Sequence, residues 1–257
     1  MERKTAVVCG STQGIGKATA LKLAEQGCNL VLIARNEEKL KEVCAQLPNL
    51  NQNHQYIVAD FSNPTELQKK ISSWVNDGGK VDILVNNTGG PKGGAIASAK
   101  VDEFISAFNQ HLICNHILVQ AFLPNMKENK FGKIVNVIST SVKQPLPMLG
   151  VSNTIRGAVA NWSKTLAGEL GQFNITVNNV LPGATNTERL KGIAQSKSDG
   201  SESSVSNILE SMANESPMKR IAEPEEVANA IAFLVSDEAS YINGINIPVD
   251  GGRTKSL

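Results

Sequence analysis

The sequence predicts an α/β protein built as one doubly wound domain, with about seven parallel strands and helices on both faces. Short apolar and β-branched runs alternate along the 257 residues with amphipathic segments, a pattern typical of strands joined by crossover helices. Right-handed crossovers would place these helices on both faces of the sheet. No Pro-rich or Gly-rich linker and no repeat of fixed period divides the chain, so residues 1–257 are predicted to form a single domain.

The seven predicted strands share short length and β-branched or apolar composition. They cover residues 5–9, 30–34, 56–59, 82–86, 133–138, 175–181 and 245–249. Helical segments lie between them; in one, Val159, Trp162, Leu166 and Leu170 fall on a single face that can pack against the sheet.

A serine-rich segment at residues 196–206 follows the sixth predicted strand and also holds Lys, Asp and Gly. Ligands of open α/β sheets bind outside the carboxyl ends of the strands. We therefore expect residues 190–216 to form a mobile substrate lid. The alternative is a solvated loop without a role.

Composition and charge favour small-molecule partners. The formal net charge of +1 argues against general attraction to nucleic acid or to an anionic membrane. The apolar run after Lys4 is too short for a signal peptide, so a cytoplasmic location is expected. Four cysteines form no C-x-x-C pair; we expect buried reduced thiols and assign no metal.

A glycine-rich turn directly after the first strand predicts a dinucleotide site of the Rossmann type. A turn of this kind at a helix N-terminus offers a phosphate close backbone approach and free N–H donors. The alternative is a plain tight turn. The turn reads Gly10-Ser11-Thr12-Gln13-Gly14-Ile15-Gly16.

Arg35, at the end of the second strand, predicts the choice of dinucleotide. An acidic residue there would bind a ribose hydroxyl and repel a 2′-phosphate. The chain has Ala34 and Arg35 instead, and a guanidinium can form a charge-assisted contact with a phosphate. We therefore predict NADP(H), with NAD(H) less favoured. In the alternative interpretation Arg35 only solvates a loop.

Several motifs occur in a recognisable order between about residue 5 and residue 252. They are the glycine turn, Asp60 after the third strand, Asn86-Asn87-Thr88-Gly89, Pro182-Gly183 with Thr187, Tyr241-Ile242-Asn243-Gly244 and Asp250-Gly251-Gly252. In these motifs the sequence resembles the classical short-chain dehydrogenase/reductases, with Thr88 in place of the Ala of the family's N-N-A-G turn. The runs at residues 86–91 and 141–145 are similar to those of bacterial members called oxoacyl-carrier-protein reductase-like.

The resemblance implies further cofactor contacts. Asp60, with Phe61 beside it, would lie at the adenine, while the turn with Asn87 and Gly89 would pass close to the bound cofactor and contact it mostly through the backbone of Gly89. Pro182, Gly183 and Thr187 would hold the nicotinamide. Part of the role of Asn86 and Asn87 would be to shape the end of the fourth strand.

At the catalytic positions the sequence departs from the family. Ser139 occupies the position of the family's substrate-orienting Ser, but Ser152 stands where a Tyr is usual, Arg156 where a Lys is usual and His111 where an Asn is usual. The family's Tyr is a general acid/base, and an aliphatic hydroxyl is far less acidic than a phenol. Arg156 could still stabilise an oxyanion and bind the ribose.

His111 is the candidate replacement for proton transfer, because imidazole titrates near neutral pH. The alternatives are a hydrogen-bonded helix residue in the space of the Asn, or an exposed one. The chain has two tyrosines, and neither is at the catalytic position: Tyr56 lies in a predicted strand and Tyr241 in the C-terminal motif. An apolar wall opposite the nicotinamide is expected from Pro145, Pro147, Met148 and Leu149.

The predicted function is an NADP(H)-dependent oxidoreductase acting on a carbonyl or alcohol, with Ser139 and Arg156 holding the oxygen while water or His111 handles the proton. The alternative is a catalytically weak dinucleotide-binding member that acts as a regulator or partner subunit. A lyase, dehydratase or epimerase in the same pocket is the third possibility. The resemblance also implies a homodimer or homotetramer paired through helices at 101–128 and 153–171.

Overall fold

The computed structural model describes residues 3–201 and 203–256. Its seven strands are all parallel and lie in the order β3-β2-β1-β4-β5-β6-β7. This confirms the predicted doubly wound sheet. The strands are β1 (Thr5–Cys9), β2 (Asn29–Ala34), β3 (Gln55–Val58), β4 (Ile83–Asn86), β5 (Gly132–Val137), β6 (Ile175–Pro182) and β7 (Asn246–Val249).

Helices cover both faces of the sheet. The α-helices of the described residues are α1 (Gly14–Glu25), α2 (Glu37–Gln46), α3 (Pro64–Asn76), α4 (Val101–Phe108), α5 (Cys114–Glu128), α6 (Gly150–Leu170), α7 (Glu188–Ser198), α8 (Val205–Asn214) and α9 (Pro224–Val235). Leu23, Leu40 and Ile231 place α1, α2 and α9 in one apolar core. Phe122 and Leu166 belong to the core on the other face, with α3, α5 and α6.

The order of the strands fixes where a ligand can bind. The chain runs outward from β1 to β3 on one side and then returns to place β4 on the other side of β1. Between β1 and β4 the crossover helices diverge to opposite faces, which leaves a crevice at the carboxyl ends of the strands. The glycine turn follows β1 and the Asn86-Asn87-Thr88-Gly89 turn follows β4, so both motifs meet at that crevice.

A ladder of asparagines crosses four adjacent strands near this edge. Asn86, Asn136, Asn179 and Asn246 are in register on β4 to β7. Each amide Nδ2 donates to the next Oδ1, over 2.8, 2.9 and 2.8 Å. A hydrogen-bonded chain of side chains thus fixes the relative positions of the strands that carry the candidate site.

The predicted helix at residues 101–128 is not continuous. A π-helical turn, Asn109–Ile113, separates α4 from α5. Such a turn adds one residue to the helical repeat and is frequent at functional sites. Here it contains His111, which is buried, so the correction bears directly on a predicted catalytic residue.

The serine-rich segment is also more regular than expected. Most of residues 190–216 lie in α7 and α8, with a short connection between them. Ser204 caps α8 by accepting a hydrogen bond from the N–H of Asn207, and the Ser196 hydroxyl donates back to the carbonyl of Gly192. These serines therefore form hydrogen bonds with the backbone of helices and do not lie in a long solvated loop.

The cysteines are free thiols, as expected: Cys9, Cys28 and Cys114 are buried, and Cys44 is partly exposed. Burial raises the pKa of Cys114 to about 12 and that of Cys28 to about 11.

In the described ranges, no helix combines the length and apolar character that crossing a bilayer requires.

Candidate functional site

A cavity of about 540 Å³ opens at the carboxyl edge of the sheet. It brings together most residues that the sequence predicted for the cofactor and the chemistry. The predicted residues that line it are Gly10, Gln13, Gly14, Ile15, Arg35, Asp60, Phe61, Asn87, Gly89, Ser139, Ser152, Arg156, Pro182, Gly183 and Thr187. Ser11, Gly16 and His111 do not line it and lie behind its wall, where Ser11 and His111 are buried.

The glycines of the turn have no room for a side chain. Gly14 has φ +53°, and a Cβ on it would lie 2.9 Å from Thr187 Cγ2. A Cβ on Gly16 would lie 2.1 Å from the carbonyl oxygen of Gly10. Gln13, the residue before α1, provides no side-chain cap, so the first N–H groups of the helix remain available. These features fit a pyrophosphate bound at the start of α1.

Asn87 connects the turn after β4 to the glycine turn. Its Nδ2 donates to the carbonyls of Cys9 and Gly10, over 3.3 Å in each case. The side chain thereby holds the two motifs at a fixed separation. Gly89 lines the cavity beside it.

The end of the cavity that is predicted to hold the adenine has one acidic residue, Asp60, and one basic residue, Arg35. Arg35 is exposed at the end of β2, and Asp60 accepts a hydrogen bond from the N–H of Ser62 over 2.9 Å. That bond, with a smaller contribution from the positive charge of Arg35, lowers the pKa of Asp60. Asp60 is therefore ionised at neutral pH, while the Arg35 guanidinium is free to meet a phosphate at the rim.

Ser152 and Arg156 project from α6 one turn apart, so they face the same side. Arg156 is buried, and its Nη1 donates to the carbonyl of Val137 over 3.1 Å. Burial, with the nearby charge of Arg189, lowers the pKa of Arg156 to about 10, which leaves it charged at neutral pH. Ser139 Oγ accepts from the N–H of Ser141 over 3.1 Å and keeps its own proton to donate.

His111 is hydrogen-bonded to a residue of the cavity wall, Thr88. Its Nδ1 lies 2.5 Å from Thr88 Oγ1, and Thr88 lines the cavity. Nε2 is buried with no partner among the described residues. Burial, and then the charges of Arg156 and Arg189, lower the pKa of His111 to about 2. The imidazole is therefore neutral, which fits the hydrogen-bonded helix residue among the alternatives.

Thr88 and Arg189 are polar residues of the site that escaped the sequence prediction. Thr88 was seen only as a departure from the family's N-N-A-G turn, and that departure was the available signal. Arg189, the second residue of α7, lines the cavity and donates from Nη2 to the carbonyl of Pro91. An arginine in the first turn of a polar helix gave no sequence signal for this role.

The expected apolar wall is formed by other residues. Leu149 lines the cavity, but Pro145, Pro147 and Met148 do not, and Met148 is 59% exposed. Ile138, Leu190 and Ile193 line it instead. Leu190 and Ile193 belong to α7, a helix that the sequence analysis did not predict.

Neither tyrosine contributes a phenol to the cavity wall as described. Tyr56 donates its hydroxyl to Glu37 on α2, and Tyr241 is fully exposed. The hydroxyls that line the cavity near Arg156 are therefore aliphatic, and they include Ser139, Ser152 and Thr88.

Comparison with known proteins places this architecture. A family profile described as enoyl-(acyl carrier protein) reductase matches residues 10–254. The chain is 32% identical over 262 residues to the NADPH-dependent reductase BacG of Bacillus subtilis, covering all of both chains. It is 31% identical to the 3-oxoacyl-[acyl-carrier-protein] reductase FabG of Haemophilus influenzae, over 98% of each chain.

A solved structure agrees. L-sorbose reductase from Gluconobacter frateurii, crystallised with NADPH and L-sorbose, superposes with a TM-score of 0.92 at 32% identity, over 100% of this chain and 98% of that one. The glycine turn, the strand order and the family profile all indicate the same family. The chain belongs to the classical short-chain dehydrogenase/reductase family.

Proposed function

We propose that this protein is an NADP(H)-dependent oxidoreductase acting on a carbonyl or alcohol substrate. The observation that carries the proposal is the single cavity that joins the glycine turn and Arg35 to Ser139, Ser152 and Arg156. A dinucleotide lying along the carboxyl edge from Arg35 past the glycine turn would reach the hydroxyls and the cation. Two relatives support NADPH as the form of the cofactor, since BacG is an NADPH-dependent reductase and the sorbose reductase was crystallised with NADPH.

Different residues of the cavity would hold the successive parts of the cofactor. Arg35 would meet the 2′-phosphate, the glycine turn the pyrophosphate, and Arg156 the ribose near the nicotinamide. Pro182, Gly183 and Thr187 would support the nicotinamide, which supplies hydride chemistry when bound. Asp60 and Phe61 would border the adenine.

The chain's own groups would orient and polarise the substrate. Ser139 and Ser152 would donate hydrogen bonds to its oxygen, and Arg156 would stabilise negative charge that develops there. None of the three supplies a proton readily at neutral pH, because both hydroxyls are aliphatic and Arg156 holds its proton. The proton would therefore come from water admitted through the open side of the cavity.

His111 would act as a positioning residue. Its neutral ring fixes the Thr88 hydroxyl at 2.5 Å, and it holds no surplus proton to give, since its pKa lies far below neutrality. If a reduction is detected, its pH–rate profile between pH values of about 5 and 8 should be the same in His111→Asn as in wild type. A limb near pH 6.5 that vanishes in the variant would restore His111 to the chemistry.

The cofactor assignment is tested by Arg35→Ala. A lost charge-assisted contact at an exposed site should weaken NADPH binding by about tenfold, while NADH binding stays within about twofold. Lys69→Ala is the matched control, because Lys69 is exposed on α3 and does not line the cavity. Calorimetry at fixed low salt measures the affinity of wild type and of both variants for each cofactor. Equal NADPH affinity in Arg35→Ala and wild type would refute the role of Arg35.

A second candidate function is a catalytically weak dinucleotide-binding regulator or partner subunit. The absence of a phenol from the described cavity wall favours it. The double variant Ser152→Tyr with Arg156→Lys separates the two candidates, with NADPH oxidation against a panel of ketones and aldehydes as the assay. A dormant member should gain activity from the restored pair, whereas a working site of the kind proposed should lose it.

Assembly, lid and location also remain proposals. Val101, Ile105 and Phe108 on α4 are 73, 54 and 39% exposed, an apolar strip that would suit pairing of α4 and α6 in a homodimer or homotetramer. Light scattering after gel filtration measures the assembly. Helices α7 and α8 would serve as the lid, and we expect the protein in the cytoplasm.

A further inference from the structure

Arg189 brings a second cation to the end of the cavity that holds Arg156. Its guanidinium lies beside Gly90: Nη2 and Nε are 3.3 and 3.4 Å from the position a Cβ on that glycine would take. Nη2 also donates to the carbonyl of Pro91. These contacts hold the side chain of an exposed residue in one place, over the turn that follows β4.

The two arginines have no negative partner in the described part of the protein. Neither forms an ion pair there. Of the described residues that line the cavity, the acidic one is Asp60, at the predicted adenine end. Arg156 is 7% exposed and uses Nη1 on a carbonyl, which leaves most of its donors unused. A charge held this way is costly unless a ligand neutralises it.

The two charges also act on each other. The charge of Arg189 lowers the pKa of Arg156, after burial, and both arginines lower the pKa of His111. A positive field therefore covers the place where the substrate oxygen is expected. The atoms within 4 Å of the Cβ position on Gly14 belong to Thr187 and not to Arg189. The pyrophosphate would use the N–H groups at the start of α1, and it would not need Arg189.

We propose that Arg189 recognises a carboxylate on the substrate, so that the substrate class is a carbonyl acid rather than a neutral sugar or ketone. This assignment rests on the proposed function. The carboxylate would accept two N–H bonds from the Arg189 fork, while the carbonyl oxygen lies toward Arg156 and Ser139. Leu149, Leu190 and Ile193 would cover the remainder of the molecule.

Binding to the NADP⁺-loaded protein tests the proposal with non-reacting or slowly reacting probes. The probes are three carboxylates of increasing size, oxamate, phenylglyoxylate and 2-oxo-4-phenylbutanoate, each paired with its neutral amide. In wild type we expect at least one acid to bind about tenfold or more tightly than its amide. That ratio should fall below about twofold in Arg189→Gln and lie between in Arg189→Lys, which keeps the charge but loses the fork.

Lys191→Gln is the control, because it removes a cation from the same helix that is already paired with Glu188. Its acid preference should equal that of wild type. The inference is overturned if no acid exceeds its amide in wild type, if the preference survives Arg189→Gln, or if Arg189→Gln weakens NADP⁺ binding tenfold, which would assign Arg189 to the cofactor. An absence of heat from NADP⁺ itself would instead refute the proposed function.

Discussion

The asparagine ladder should be worth a large part of the stability of the fold, and Asn136→Ala measures it. Asn136 is fully buried and makes three side-chain hydrogen bonds: it accepts from Asn86 over 2.8 Å and donates to Asn179 over 2.9 Å and to Ser163 over 3.3 Å. Each bond contributes about 0.5 to 1.5 kcal/mol, and partners left buried without one add a further penalty. We expect a loss of about 3 to 5 kcal/mol.

Urea unfolding followed by circular dichroism, at one fixed protein concentration, measures the difference. The slope with denaturant should not change, because the surface exposed on unfolding is the same. Asn53→Ala is the control, since Asn53 is exposed and its side chain has no hydrogen bond within the described residues; it should change the stability by less than about 0.5 kcal/mol. A loss below about 1 kcal/mol in Asn136→Ala would show that the ladder contributes little.

Three further outcomes follow from the site. Gly16→Ala should abolish measurable NADPH binding in calorimetry, because its Cβ would lie 2.1 Å from the Gly10 carbonyl oxygen; retained affinity would show that the turn can open. The pKa of His111 lies near 2 in the folded state against about 6.5 unfolded, so the unfolded state binds more protons below pH 6.5 and stability should fall as the pH drops, by up to about 1.4 kcal/mol per pH unit. His111→Asn should flatten that part of the pH dependence of urea unfolding, and an unchanged curve would contradict it. A double-mutant cycle of Thr88→Ala with His111→Asn should give a coupling of about 1 to 2 kcal/mol, because the two side chains share one hydrogen bond; additive losses would show that they act separately.

The fold could be predicted from the sequence because buried parallel strands consist of continuous runs of apolar residues. The first strand was predicted with the bounds the structure gives, and the others differ by one or two residues. The π-helical turn at His111 could not be predicted, since hydrophobic periodicity does not register one extra residue in a long helix. Helices α7 and α8 were missed because serines that cap helices have the same composition as serines in loops.

The cofactor end of the site was more predictable than the substrate end. The glycine turn and Arg35 follow strand ends directly, so their positions depend on local sequence and one strand register. Arg189 reaches the cavity from a helix and is held by a carbonyl about a hundred residues earlier, at Pro91. A contact between segments that far apart leaves no trace in either segment alone.

We interpret the predicted departures from the family's catalytic residues as a rearranged site, not a decayed one, because the residues at these positions are matched to each other by contact and by charge. Thr88 and His111 both differ from the usual residues, and they are each other's hydrogen-bond partner. Arg156 keeps a cation where the family has one, and it is buried against the Val137 carbonyl, not released to solvent. A site without a function would have no reason to bear the cost of a buried cation beside a buried neutral imidazole. That cost is offset most directly by an anion bound in the cavity, which is why the substrate's charge is the property to measure first.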